Sequence, residues 1–156
     1  MSNPSDEKKE VSALQIELEI TIKASRERVW KALVEESTMW WRKDFYATAN
    51  PKAFIIEPKI GGRVYEDAGD GAGLIWYNVI GIETGRSINC VGHISPPYGG
   101  PATSLLRLSL EEKGKNETVL RLTDALFGHL PSCSAKEGWL MLFDESFKAY
   151  VEGRNE

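Results

Sequence analysis

The chain has 156 residues, enough for one domain with a substantial core, and its 42% hydrophobic and 27% charged content is that of an ordinary globular protein. A formal net charge of −4 argues against a nucleic-acid partner, because phosphate binding needs a basic surface. No apolar run approaches the roughly 20 residues that span a bilayer, the polar start "MSNPSDEKKEVSALQ" has no secretory core, and two cysteines, Cys90 and Cys133, build no disulfide framework, so a cytoplasmic location with reduced thiols is expected.

Residues 1–12 read as a disordered lead, and 13–156 as a single domain without internal repeats. "QIELEITIK" alternates, placing Ile16, Leu18, Ile20 and Ile22 on one face of a half-buried strand. "ASRERVWKALVEE" changes to helical spacing, with Ser25 as cap and Val29, Trp30, Leu33 and Val34 on one stripe. "STMWWRKDF" predicts a second short helix capped by Ser37 or Thr38. From Ala53 to Ala125 the pattern is strand and turn, giving six strands joined by "IEPKIGG", "AGDGAG", "TGRS", the proline-rich "ISPPYGGPAT" and "KGKN". "AKEGWLMLFDESFKAYVEG" predicts a long C-terminal helix. Trp139, Leu142, Phe143, Phe147 and Tyr150 fall on one face, Ser132 or Ser134 caps its start, and Gly153 ends it. Hairpin-length connections make the sheet antiparallel, and the aromatic helix is its natural cover.

Few residues carry an obvious chemistry. Gly61 and Gly62 do not fit a phosphate loop, since no helix opens after them; a turn needing positive φ or close backbone approach accounts for both. Cys90 with His93 and His129 with Cys133 have the ligand types of a zinc site, but a separation of three along a strand points side chains to opposite faces, and no metal is expected. Nothing activates either cysteine as a nucleophile. Glu66, Asp67 and Asp70 lack the order of a calcium loop and read as a solvated hairpin. Arg107 and Arg121 oppose their leucine neighbours in parity and are expected in water, with Glu17 or Glu19 as partners. Trp41, Phe45, Tyr65, Trp76, His93, Trp139, Phe143 and Phe147 are the candidate lining of a ligand cavity under the last helix.

The ordered set "IKASRERVWKALVE", "WW", "IIEPKIGGRVYE", "GLIWYNVIGIETGRSI" and "EGWLMLFDESFKAYVEG" resembles the START-like, or SRPBCC, helix-grip superfamily. Within it the chain is similar to the family named for activators of a heat-shock chaperone ATPase (AHSA1-like) and to polyketide-cyclase-like proteins. The resemblance implies an α+β fold in which a curved seven-stranded antiparallel sheet grips the long C-terminal helix, with two short helices after the first strand. It also implies a tunnel for a small hydrophobic molecule, such as a lipid, polyketide or aromatic metabolite, with no cofactor. Two alternatives stay open. One is a cyclase or dehydratase using the same pocket through a polar group such as His93, Asp124 or Glu66. The other is a chaperone-ATPase modulator acting through its surface, against which stands the absence of the additional N-terminal domain of the full co-chaperones. No catalytic residue carries over, and a homodimer is left open.

Overall fold

The structure is a computed structural model that describes residues 6–153. Of the expected N-terminal lead, residues 1–5 lie outside the described residues, and β1 (Ser12–Ile22) begins inside the stretch assigned to it. Next come α1 (Arg26–Glu35), α2 (Ser37–Trp40) and a single 3-10 turn, Lys43–Phe45. Six strands follow: β2 (Ala53–Ile56), β3 (Arg63–Gly69), β4 (Ala72–Glu83), β5 (Ser87–Ile94), β6 (Ala102–Gly114) and β7 (Glu117–Gly128). A second 3-10 turn, Pro96–Tyr98, lies between β5 and β6. The C-terminal helix is built in three parts: α3 (Ala135–Trp139), a π-helical stretch over Leu140–Phe147, and α4 (Lys148–Gly153).

All strand pairs are antiparallel, and the sheet runs β1-β7-β6-β5-β4-β3-β2. β1 reaches its place beside β7 because α1 and α2 carry the chain across one face of the sheet to the opposite edge. The α+β helix-grip arrangement expected from the sequence is therefore the fold observed, with short helices after β1 and a long helix over the sheet.

Burial follows the predicted alternation. Ile16, Ile20 and Ile22 of β1 are buried, as are Leu106, Leu108 and Leu110 of β6 and Leu120 and Leu122 of β7. Each side chain of this size contributes about 1.5–3 kcal/mol on burial. All of these except Ile16 share one core cluster with Leu142, Phe143, Phe147 and Val151 of the C-terminal helix. Phe147 meets Trp40 edge-on at 4.8 Å, so α2 and the C-terminal helix share one aromatic core. The Glu36 carboxylate accepts from Arg28 Nη1 and Nη2 (2.8 and 3.0 Å) and from the Tyr150 hydroxyl (2.6 Å), tying α1 to α4.

Ser25 caps α1 as predicted, accepting from Arg28 N at 3.2 Å. Ser37 and Thr38 do not cap α2. Both hydroxyls donate to the Phe54 carbonyl oxygen (2.7 and 3.0 Å), and Thr38 Oγ1 accepts from Phe54 N at 3.1 Å. They thereby close the free edge of β2, and an unpaired edge is the usual liability of an open sheet. Ser134 stands at the start of α3 but makes no side-chain capping bond.

The glycine pair serves the backbone. Gly61 has φ +77°, and a Cβ on Gly62 would lie 2.1 Å from the Glu57 carbonyl oxygen. Gly61 N donates to Val79 O and Gly62 N to Lys59 O, both at 2.9 Å, so both amides are already engaged. Arg107 and Arg121 are on the outer face. Arg107 reaches Asn89 at 3.3 Å, and Arg121 pairs with Glu111 and, at 3.6 Å, with Glu19.

Candidate functional site

Between the sheet and the start of the C-terminal helix lies an open cavity of about 380 Å³. Its wall is mostly apolar and aromatic. Trp41 and Phe45 enter from the α2 region, Leu74 to Tyr77 from β4, Gly92 to Ile94 from β5, Ser104 from β6, Asp124 and Leu126 from β7, and Ala135, Gly138 and Trp139 from α3. A smaller void of about 40 Å³, lined in part by Trp40, Phe54, Leu108 and Phe143, lies deeper in the core.

A β-bulge sets the aromatic wall. Val64 pairs with Tyr77 but Tyr65 pairs with Ile75, which leaves Trp76 as an extra residue in β4. Strict alternation would send Trp76 and Tyr77 to opposite faces; the bulge brings both to the cavity. Gly92 on β5 makes room for the Tyr77 ring, since a Cβ there would meet Trp76 O at 2.3 Å and Tyr77 Cδ1 at 2.8 Å.

A buried polar chain crosses the floor. The Ser104 hydroxyl donates to Asp124 Oδ1 at 2.6 Å, and the Trp139 indole N–H donates to Oδ2 at 2.8 Å. With its proton so used, Ser104 Oγ accepts from the Tyr77 hydroxyl at 2.9 Å. Asp124 is 1% exposed. Burial pushes its carboxyl above the ordinary aspartate range, against the lowering effect of the two donors, and burial also raises the Tyr77 phenol.

A second carboxylate stands at the rim. Glu66 is 0% exposed, which corrects its assignment to a solvated hairpin. Its position on β3 turns it inward, opposite Leu74, where it accepts four hydrogen bonds. Ala47 N and Trp76 Nε1 donate to Oε2 (2.8 and 2.7 Å), and Thr48 N and Oγ1 to Oε1 (3.0 and 2.7 Å). Burial alone would raise its carboxyl, but these donors favour the charge and hold it below the ordinary glutamate range. Glu66 thus fastens the chain after Phe45 to the cavity edge.

Of the residues named from sequence, Trp41, Phe45, Trp76, His93 and Trp139 line the main cavity, and Phe143 lines the inner void. Tyr65 lies outside both linings, with the Arg63 guanidinium 4.3 Å over its ring, and Phe147 is in the closed core against Trp40. His93 is exposed at the mouth, its Nδ1 3.1 Å from Thr103 Oγ1. The trio Tyr77, Ser104 and Asp124 was not assembled from sequence as a unit, because its members are 20 and 27 residues apart and meet only through strand register. Asp124 flanked by Leu122 and Leu126 was the available signal, since all three share one strand face.

Trp41 Nε1 is buried with no acceptor among the described residues. Cys90 is buried and its thiol is pushed up to about 12 by desolvation, so it is inert packing, whereas Cys133 is exposed. Among the described residues no three His, Cys, Asp or Glu side chains gather as a metal site, and no helix is long and apolar enough to cross a membrane.

A sheet gripping a helix over a cavity of this kind defines a class, and comparison with known proteins places the chain within it. Residues 23–152 match the family model for Activator of Hsp90 ATPase homolog 1-like protein, and the chain belongs to that family. Among solved structures, it is similar to the conserved protein of unknown function EF2215 from Enterococcus faecalis (TM-score 0.67, 15% identity, 92% of this chain and 74% of that one). It is also similar to Mll3558 from Rhizobium loti (TM-score 0.64, 22% identity, 86% and 95%). A norcoclaurine synthase point mutant from Thalictrum flavum, in complex with a transition-state analogue, shares the fold at TM-score 0.58 and 12% identity, over 96% of this chain and 100% of that one. No curated protein matches the sequence significantly.

Proposed function

We propose that the protein binds a small, largely apolar, ring-bearing molecule in the cavity between the sheet and α3. The carrying observation is the combination of an aromatic wall with one buried polar chain, Tyr77–Ser104–Asp124, at the floor of a 380 Å³ space. Volumes of about 300–1,000 Å³ and a few convergent polar groups in an apolar wall are the properties of small-molecule sites. The wall supplies affinity through buried area, and the polar chain supplies orientation. The free cysteines fit a reducing compartment such as the cytoplasm.

Gly138 provides the test. It lines the cavity, and a Cβ built on it meets nothing within 4 Å. A Gly138→Phe variant should fold and place its ring in the open space. Apolar ring compounds that raise the melting temperature of the native protein and quench its tryptophan fluorescence should lose both effects in the variant. Undiminished shifts in a folded Gly138→Phe protein would place binding elsewhere.

A second reading is an enzyme of the cyclase or dehydratase kind. What favours it is Asp124, a buried carboxyl on the cavity wall whose proton affinity is raised by desolvation, the condition of a general acid or base. Turnover retained in Asp124→Asn, once a substrate is in hand, would remove it.

A further inference from the structure

The cavity has a charge preference, and this inference rests on the ligand-binding reading above. Two carboxylates stand behind its wall, Asp124 at the floor and Glu66 at the rim. Each receives the indole N–H of a lining tryptophan, Trp139 at 2.8 Å and Trp76 at 2.7 Å. That bond fixes the ring edge on the carboxylate and leaves the ring for the cavity. Indole faces are the strongest aromatic partners of cations, and an N–H held by an anion adds electron density to the ring.

No opposing charge is built in. Among the described residues that line the cavity none is Lys or Arg. Arg42 sits 5.5 Å over the Phe45 ring, but two hydrogen bonds of 3.0 Å commit it to Asp44. His93 is at the mouth and already engages Thr103. The net charge of −4 has the same sign as the buried pair. In a low-dielectric recess two carboxylates, hydrogen-bonded but with no Lys or Arg in the cavity lining, attract a cation and repel an anion more strongly than they would in water.

We propose that the cavity takes an apolar, ring-bearing molecule that carries a positive charge, an amine above all, and turns away carboxylates of the same shape. Fatty acids and aromatic acids are thereby disfavoured, although the wall itself is apolar enough to hold them.

Three naphthalene probes of nearly equal size test this in the native protein at neutral pH: naphthylmethylamine, naphthylmethanol and naphthoate, titrated by tryptophan fluorescence and calorimetry. The amine should bind about tenfold tighter than the alcohol, and the carboxylate about tenfold weaker. In Asp124→Asn the spread between amine and carboxylate should narrow while the alcohol changes least. Should that variant not fold, Glu66→Gln, which removes the second charge and keeps an oxygen acceptor for the Trp76 indole, should narrow the amine's advantage instead. Equal binding of the three, or naphthoate the tightest, overturns the charge preference and leaves the cavity reading standing. Binding of none of them overturns both.

Discussion

At the scale of single residues, the three cavity tryptophans differ in what they hold. Trp76 and Trp139 each donate to a buried carboxylate, whereas Trp41 stacks on Phe54 at 3.6 Å and its N–H has no acceptor among the described residues. Their conservative replacements should therefore differ. Trp76→Phe removes one of four donors from Glu66, and a buried charge deprived of a donor costs about 1–3 kcal/mol. Trp41→Phe sheds ring area but also an unpaired donor, and these effects oppose each other, for an expected net within about 1 kcal/mol. Urea denaturation of the two variants checks the contrast; equal losses would mean that the indole bond to Glu66 contributes nothing specific.

At the scale of elements, the cavity depends on two glycines on facing walls. Gly92 on β5 lets the Tyr77 ring lie against the strand, and Gly138 on α3 leaves the mouth open. Gly92→Ala would put a Cβ 2.3 Å from a backbone oxygen that cannot rotate away. It should cost about 1–3 kcal/mol and displace the Tyr77 hydroxyl from Ser104. Gly138→Ala meets only open space, so the gain in helix propensity should stabilise the protein by about 0.5–1 kcal/mol. Thermal unfolding should move in opposite directions for the two; a destabilised Gly138→Ala would mean the opening is not as found. These elements also mark how far the sequence was legible. Alternation identified β1, β6 and β7 and the sides on which Arg107 and Arg121 lie, because a period of two survives wherever a strand is regular. Trp76 was named for the cavity and lines it, but Tyr77 was not, since alternation sends neighbours to opposite faces and a bulge inserts one residue without any composition that betrays it. The π-helical stretch over Leu140–Phe147 is equally invisible in spacings of three and four, and Phe147 turned out to be core where the spacing alone placed it with Trp139.

At the scale of the whole molecule, the architecture was legible because seven strands, two short helices and a long helix occur in one order that few folds share. The polar part of the site was not, because it is made by register between strands distant in sequence: Ser104 sits beside Asp124 only when β6 and β7 pair as they do. That same assembly gives the protein two buried carboxylates with opposite effects on stability. Glu66 binds its proton less tightly in the folded chain than its ordinary value of 4.5, so its contribution is present above that value and is lost as pH falls through the folded value. Asp124 binds its proton more tightly than its ordinary 3.8, so its contribution is complete below that value and is lost as pH rises through the folded one. On acidification the two oppose each other. Urea midpoints measured from neutral pH down to about 3 should therefore fall less steeply in Glu66→Gln than in the native protein, and more steeply in Asp124→Asn. The Gln variant should start lower at neutral pH, since its amide can accept on only one atom where four donors converge. Parallel profiles for the three proteins would mean that folding changes the proton affinity of neither carboxylate.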